Sequence, residues 1–162
     1  MKILVFSDSH HNTEKMLYAA EKHKNCTDTI IHLGDCFTDT YDIERRFPTK
    51  ALLRVSGNCD IYDGIYKENS ININLFGHKI LITHGHLQNV KSSLDLLYEK
   101  AAGQNCDICL FGHTHMPLYE TKNNITFFNP GSISRPICGN MPTYGIIDLD
   151  EKTAKFKILE VE

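Results

Sequence analysis

Aspartate, asparagine and histidine recur in this chain in short clusters: Asp8-Ser9-His10, Gly34-Asp35, Gly57-Asn58-Cys59-Asp60, His84-Gly85-His86 and Gly112-His113-Thr114-His115. Aspartate supplies hard anionic oxygen, and neutral imidazole suits Zn, Fe, Mn or Ni. Donors of both kinds point to bound metal rather than to metal-free acid–base chemistry. The candidate ligands are Asp8, His10, Asp35, Asn58, His84, His113 and His115. They are too many for one tetrahedral ion. They suit two ions sharing a bridging carboxylate. Two ions ~3.5–4 Å apart can clamp a phosphoryl group and activate a water between them. Taken singly, each cluster has a plainer explanation. An isolated Asp-x-His after a strand is more often a turn with a helix cap, and either His-x-His pair alone could be two surface histidines. The joint occurrence, each cluster closing an apolar run, is what those explanations do not cover.

The elements that must position these groups are legible as apolar runs. Lys2–Ser7, Thr29–Leu33 and Ala51–Val55 read as strands ending at Asp8, Gly34-Asp35 and Ser56-Gly57-Asn58. A helix is expected from about Glu14 to Lys24, capped by Asn12 or Thr13, with Met16, Leu17, Ala19 and Ala20 on its buried face. A weaker helix is expected from Tyr41 to Phe47, stopped by Pro48. This β-α-β-α-β order predicts a parallel sheet with helices on its faces. Beyond a polar loop, Ile71–Phe76 alternates as a half-exposed strand and returns through Gly77-His78 into Lys79–Thr83. A helix is expected from about Val90 to Ala102, then a buried strand over Asp107–Phe111. Two hairpins close the chain, Leu118–Glu120 with Ile125–Phe128 and Tyr144–Leu149 with Ala154–Val161. In open α/β sheets, ligands bind beyond the carboxyl ends of the strands. If the strands are neighbours, five such ends deliver their donors to one cleft.

The 162 residues suit one domain, residues 1–162, with an ordinary globular composition of 41% hydrophobic and 23% charged residues. The formal net charge of −3 argues against a dedicated nucleic-acid binder. A phosphate-bearing substrate stays compatible, because bound cations can supply positive charge. Met1-Lys2-Ile3-Leu4 runs straight into a strand, and no apolar stretch reaches the ~18 residues of a membrane span. The expectation is therefore a reducing, cytoplasmic setting with the six cysteines as thiols, Cys106 and Cys109 among them as buried thiols rather than a redox or zinc motif.

The series Asp8-x-His10, Gly34-Asp35, Gly57-Asn58-x-Asp60, His84-Gly85-His86 and Gly112-His113-Thr114-His115 resembles the calcineurin-like metallophosphoesterase superfamily. The short length and the Gly57-Asn58-Cys59-Asp60 form are similar to its small YfcE-like phosphodiesterases, and Asn129-Pro130-Gly131-Ser132 also matches that group. The resemblance runs from Lys2 to about Ser134. It implies an αββα sandwich of two mixed β-sheets flanked by helices. It also implies one metal held by Asp8, His10, Asp35 and His115, and another by Asp35, Asn58, His84 and His113. Many superfamily members carry histidine after the ligand asparagine, as a transition-state stabiliser or proton donor; this chain has Cys59. His86 and Asp60 are candidates for supporting roles, whereas His11, His23, His32 and His78 fit no motif position and read as surface or packing residues.

The reaction these residues imply is hydrolysis of a small phosphodiester or other phosphate ester by a metal-bridging hydroxide, with Asp35, Asn58, His84 and Cys59 as the catalytic set. Manganese is the first expectation for the two divalent ions, and nickel, zinc, iron and cobalt are admissible. The alternative is a non-catalytic interaction module, since the retromer scaffold subunit shares the fold that the resemblance implies. A nuclease reading is weaker, because no basic run is visible. The oligomeric state is left open, a homo-oligomer included.

Overall fold

The apolar runs pair into two mixed five-stranded sheets in a computed structural model that describes Met1–Val161. The first sheet is built on β1 (Lys2–Phe6), β2 (Thr29–His32) and β3 (Ala51–Arg54). β1 and β2 are parallel, with Leu4 opposite Ile30, and β2 and β3 are parallel, with Ile30 opposite Leu52. The second sheet holds β4 (Ser70–Leu75), β5 (His78–Thr83), β6 (Ile108–Leu110), β7 (Pro117–Lys122) and β8 (Ile125–Pro130), in the order β4-β5-β6-β8-β7. The chain returns to the first sheet through β9 (Thr143–Leu149) and β10 (Ala154–Glu160), giving the order β10-β9-β1-β2-β3.

Apolar residues on both faces of a strand force both faces to be covered. Ile3, Val5 and Ile31 of the first sheet pack against Ile80, Ile82, Ile108, Leu110 and Phe128 of the second. The opposite face of the first sheet, with Leu4, Phe6 and Ile30, meets Met16, Ala19 and Ala20 of α1 (Thr13–His23) and Ile43 of α2 (Thr40–Arg46). The outer face of the second sheet, with Leu81, Cys109 and Phe127, meets Leu97 and Ala101 of α4 (Asp95–Gly103). The expected layering, helix on sheet on sheet on helix, is thus realised. Cys106 and Cys109 are buried and unpaired, as the apolar run around them implied. Among the described residues no helix is long and apolar enough to cross a membrane.

Three local expectations need correction. The helix expected from Val90 begins only at Asp95. Residues 89–92 are spent in turns, with Asn89 at φ +50° and the Ser92 amide bonded to the Asn89 carbonyl, while Val90 is drawn into the core of the second sheet. Asn12 precedes α1 but its side chain makes no capping hydrogen bond. A further short helix, α3 (Asn58–Tyr62), follows β3 and was not expected.

The start of α3 explains its existence. Asp60 is fully buried, and its carboxylate accepts hydrogen bonds from the Gly57 amide (2.7 Å) and from the Phe37 amide (2.6 Å). One side chain thereby ties the loop after β3 to the loop after β2. Removing a partner from a buried donor costs about 1–3 kcal/mol per group. Asp60→Ala is expected to destabilise the fold by about 2–4 kcal/mol, read as a drop in urea midpoint at unchanged slope.

Candidate metal centre

β1, β2 and β3 are adjacent and parallel, so the loops after Phe6, His32 and Arg54 emerge side by side. β5 and β6 are likewise parallel neighbours and end at His84 and near His113. The condition set by the sequence, that the donor-bearing strand ends be neighbours, is met in both sheets.

The backbone at this edge is held away from ordinary conformations. Asp8, His10, Asp35, His113 and His115 all have φ between +45° and +67°. Non-glycine residues rarely occupy that region, and such strain gathers where the surrounding structure enforces it for function. The enforcing contacts are visible. Ser132 Oγ donates to the Asp8 carbonyl at 2.9 Å, and Ser134 Oγ does so at 3.2 Å. Asn129 Nδ2 donates to the Gly112 carbonyl at 2.9 Å and to Thr114 Oγ1 at 3.0 Å. The segment from Asn129 to Ser134 therefore clamps the turns that carry Asp8, His113 and His115. Buried His32, which fitted no motif, accepts at Nδ1 from the Gly34 amide and faces Ser9 Oγ at 3.1 Å. Burial pushes its pKa down to about 4, so it stays neutral and packs the Gly34-Asp35 turn. A Cβ on Gly57 would lie 2.1 Å from Asp35 Oδ1, so only glycine lets the third loop approach that carboxylate.

Asp35 stands between two groups of donors. Its Oδ2 is 3.8 Å from His10 Nε2 and its Oδ1 is 3.4 Å from His84 Nε2. On the first side, His10 Nε2 and His115 Nε2 are 3.2 Å apart, and His115 Nε2 is 3.2 Å from Asp8 Oδ1. On the second side, the His84 and His113 rings lie with centroids 5.0 Å apart. Asp8, His10, Asp35 and His115 thus offer ligand atoms within 4.8 Å of one another, and Asp35, His84 and His113 do the same. Asn58 Oδ1 is buried without a hydrogen-bond partner among the described residues, as are Asp8 Oδ1 and His84 Nε2. Buried oxygen and nitrogen atoms left without a hydrogen bond cost free energy unless something else binds them, and a cation does. The donor set therefore fits divalent metal.

The electrostatics agree. Burial opposes ionisation of Asp35, but His84 and the Cys59 amide and thiol outweigh it and hold the carboxyl well below its usual range. Burial likewise opposes Asp8, outweighed by His115, His84 and Ser7. Burial lowers His10, and it brings His113 down to about 4 with help from His84, so both imidazoles are neutral. His84 is opposed by burial yet raised by Asp35 and Asp8; His115 is raised chiefly by Asp8. At these two histidines a metal would take the place of a proton. Both are oriented from behind, as ligating histidines usually are. His84 Nδ1 donates to the Leu33 carbonyl at 2.7 Å and His115 Nδ1 to the Arg135 carbonyl at 2.6 Å, leaving each Nε2 toward the carboxylates.

Cys59 donates to Asp35 twice, from its amide at 2.9 Å and from its thiol at 3.3 Å. Burial, then the Asp35 charge, pushes the thiol up to about 12. His86 is half-buried beside the cluster, its ring 5.4 Å from His84, with both nitrogens unpartnered among the described residues. His23 and His78 lie elsewhere: His23 Nε2 is 3.0 Å from the Tyr144 hydroxyl, and His78 Nδ1 is 2.6 Å from Asp107.

Comparison with known proteins agrees with this arrangement. A family model for the calcineurin-like phosphoesterase superfamily domain matches residues 1–152. The probable metallophosphoesterase YsnB of Bacillus subtilis is 32% identical over 161 residues, covering 99% of this chain and 91% of its own. A phosphodiesterase of Methanocaldococcus jannaschii is 28% identical over 174 residues, covering 99% of this chain and all of its own (100%). Among solved structures, a predicted phosphoesterase of Streptococcus pneumoniae superposes with TM-score 0.80 at 28% identity, over 98% of this chain and 88% of its own. The zinc complex of Vps29 from Entamoeba histolytica superposes with TM-score 0.75 at 20% identity, over 100% of both chains, a likeness of fold alone. With the family match spanning nearly the whole chain, and its metal-ligating residue types converging at one edge of both sheets, the chain belongs to the calcineurin-like phosphoesterase superfamily.

Proposed function

We propose that the protein is a single-domain phosphodiesterase, residues 1–162, working with two divalent metal ions. The observation that carries this reading is the Asp35 carboxylate, one oxygen facing His10 and the other His84. A carboxylate so placed can bridge two ions. Asp8, His10, Asp35 and His115 would hold one ion, and Asp35, Asn58, His84 and His113 the other. When bound, such a pair lowers the pKa of water toward neutrality and neutralises charge on a phosphoryl group. Manganese is favoured first for this oxygen and nitrogen shell, and zinc, nickel, iron and cobalt suit it as well.

The remaining groups hold and orient. The Cys59 amide and thiol fix the Asp35 carboxylate, so the thiol is engaged and a poor proton donor to a departing oxygen. A hydrolysis with no strong acid beside the leaving group favours good leaving groups. A second ester group has room: a cavity of about 820 Å³ opens next to His115 and Thr114, walled by Val90, Leu94, Phe111 and Met116, with Lys91 and Lys122 at its sides. Asp95 and Glu120 also line it, and Lys122 pairs with Asp95 at 3.4 Å, so it is the apolar wall that would receive the organic substituent of a small diester. The competing reading, an interaction scaffold, has the fold likeness to Vps29 behind it. Against it stands a donor set with both carboxylates ionised and two neutral imidazoles beside them.

The decisive measurement is turnover of bis-p-nitrophenyl phosphate by manganese-loaded protein; metal bound without turnover would favour the scaffold. Asp35→Asn is expected to weaken both metals and lower turnover by about 10³-fold, roughly 4 kcal/mol of transition-state stabilisation. Full activity with two tightly held ions in that variant would sink the bridge. Chelation should remove activity yet leave the far-UV circular dichroism largely intact, because none of the candidate ligands belongs to the three packed cores. Restored metal should raise Tm by linkage. Cys59→His is expected to raise kcat for poor leaving groups by about tenfold while changing p-nitrophenolate release little, below the ~10²–10⁴-fold of an evolved general acid. Equal effects on both substrate classes would separate position 59 from proton delivery.

A further inference from the structure

Beside the main cluster, and made of residues that it does not use, His11, Cys36 and Asp39 bring a ring nitrogen, a sulfur and a carboxylate oxygen within 4.8 Å of one another. Cys36 and Asp39 are buried at 2% and 6% exposure, whereas the His11 side chain is 65% exposed and closes the group from the solvent side. His11 Nε2 is 3.5 Å from Cys36 Sγ and 3.9 Å from Asp63 Oδ2, and His11 Nδ1 is 3.7 Å from Asp39 Oδ1. With Zn–N near 2.0–2.1 Å, Zn–S near 2.3 Å and Zn–O near 2.0–2.2 Å, a tetrahedral zinc has ligand–ligand edges of roughly 3.4–3.6 Å. The Nε2–Sγ contact stands at that edge, while Asp39 lies against the other ring nitrogen, so the ring must turn for one nitrogen to face both partners. An exposed imidazole is free to rotate one nitrogen toward both partners.

The Asp39 carboxylate is already held in place. The His11 amide donates to Asp39 Oδ2 at 2.9 Å, which fixes the carboxylate and leaves its Oδ1 toward the ring. His11 and Cys36 both sit at positive φ, +64° and +77°, a conformation uncommon for non-glycine residues, and their side chains meet at 3.5 Å.

We propose that His11, Cys36 and Asp39 form a further metal site, selective for zinc, with Asp63 or a water completing a tetrahedral shell. Binding forms a zinc–sulfur bond and releases the Cys36 thiol proton to solvent. Thiolate and imidazole together select zinc over manganese, whereas the main cluster offers oxygen and nitrogen. The sulfur ligand is what distinguishes this site from the main cluster, which also admits zinc. His11 and Cys36 directly follow His10 and Asp35. An ion here would brace both loops that carry those donors.

The proposal does not depend on the phosphodiesterase reading, and its test counts a difference. Wild type and His11→Ala are saturated with zinc, freed of loose metal by gel filtration and analysed for zinc per chain. His11 is exposed, so this variant keeps the fold, checked by circular dichroism. Wild type is expected to retain one zinc more than His11→Ala, whatever the main cluster holds. Cobalt-loaded wild type is expected to show a thiolate-to-cobalt charge-transfer band that Cys59→Ala keeps and Cys36→Ser loses. Equal zinc content in wild type and His11→Ala would overturn the proposal. So would a charge-transfer band that survives in Cys36→Ser and disappears in Cys59→Ala.

Discussion

A buried carboxylate that stays ionised must be surrounded by donors or cations, and Asp35 imposes that demand on everything near it. It is almost wholly buried, yet it is held in its charged form by His84 and by the Cys59 amide and thiol. Meeting the demand requires three separate loops to approach one side chain. Gly57 must lack a Cβ, because the third loop passes too close for one. Asp60 must join the second loop to the third, since without it the Cys59 amide has no fixed place. Asp8 repeats the arrangement beside it, fully buried and flanked by His115 and His84.

The two-sheet architecture makes this tolerable. Adjacent parallel strands end at the same edge, so the first sheet delivers Asp8, Asp35 and Asn58 together and the second delivers His84, His113 and His115. Neither sheet alone carries all the candidate donors. The core between them, built from Ile3, Val5 and Ile31 against Ile80, Ile82 and Leu110, fixes the distance across which carboxylate and imidazole meet. Packing in the apolar interior thus sets the geometry of the polar edge. The left-handed backbone at five of the candidate ligands is strain that this packing, and the clamp from Asn129 to Ser134, holds in place.

Division of labour among the histidines follows from the same packing. His10 and His113 are kept neutral by burial, His84 and His115 are oriented by backbone carbonyls behind them, and His32 is a neutral packing residue under the Gly34-Asp35 turn. Residue type is the same in every case. What differs is whether a carboxylate, a carbonyl or apolar surface lies within reach.

The sequence by itself determined which residues could bind metal and, through its apolar runs, that they would follow strands, although β3 before Asn58 is only partly buried. Ile3–Phe6 and Ile30-Ile31 are legible because a strand covered on both faces favours consecutive apolar residues. The start of α4 and the existence of α3 were not legible, for physical reasons. Val90 has helical spacing but is recruited by the second sheet's core, and α3 has five residues, among them Cys59 and Asp60, that are tied to the distant Asp35 and Phe37. Only the tertiary structure decided that Asp35 faces His10 with one oxygen and His84 with the other, and that Cys59 turns its thiol to that carboxylate. It also decided that His11, isolated in the sequence, meets Cys36 and Asp39. Spacing along a chain fixes which side chains share a loop; which loops share a space is set by strand order and by the thickness of the core between the sheets.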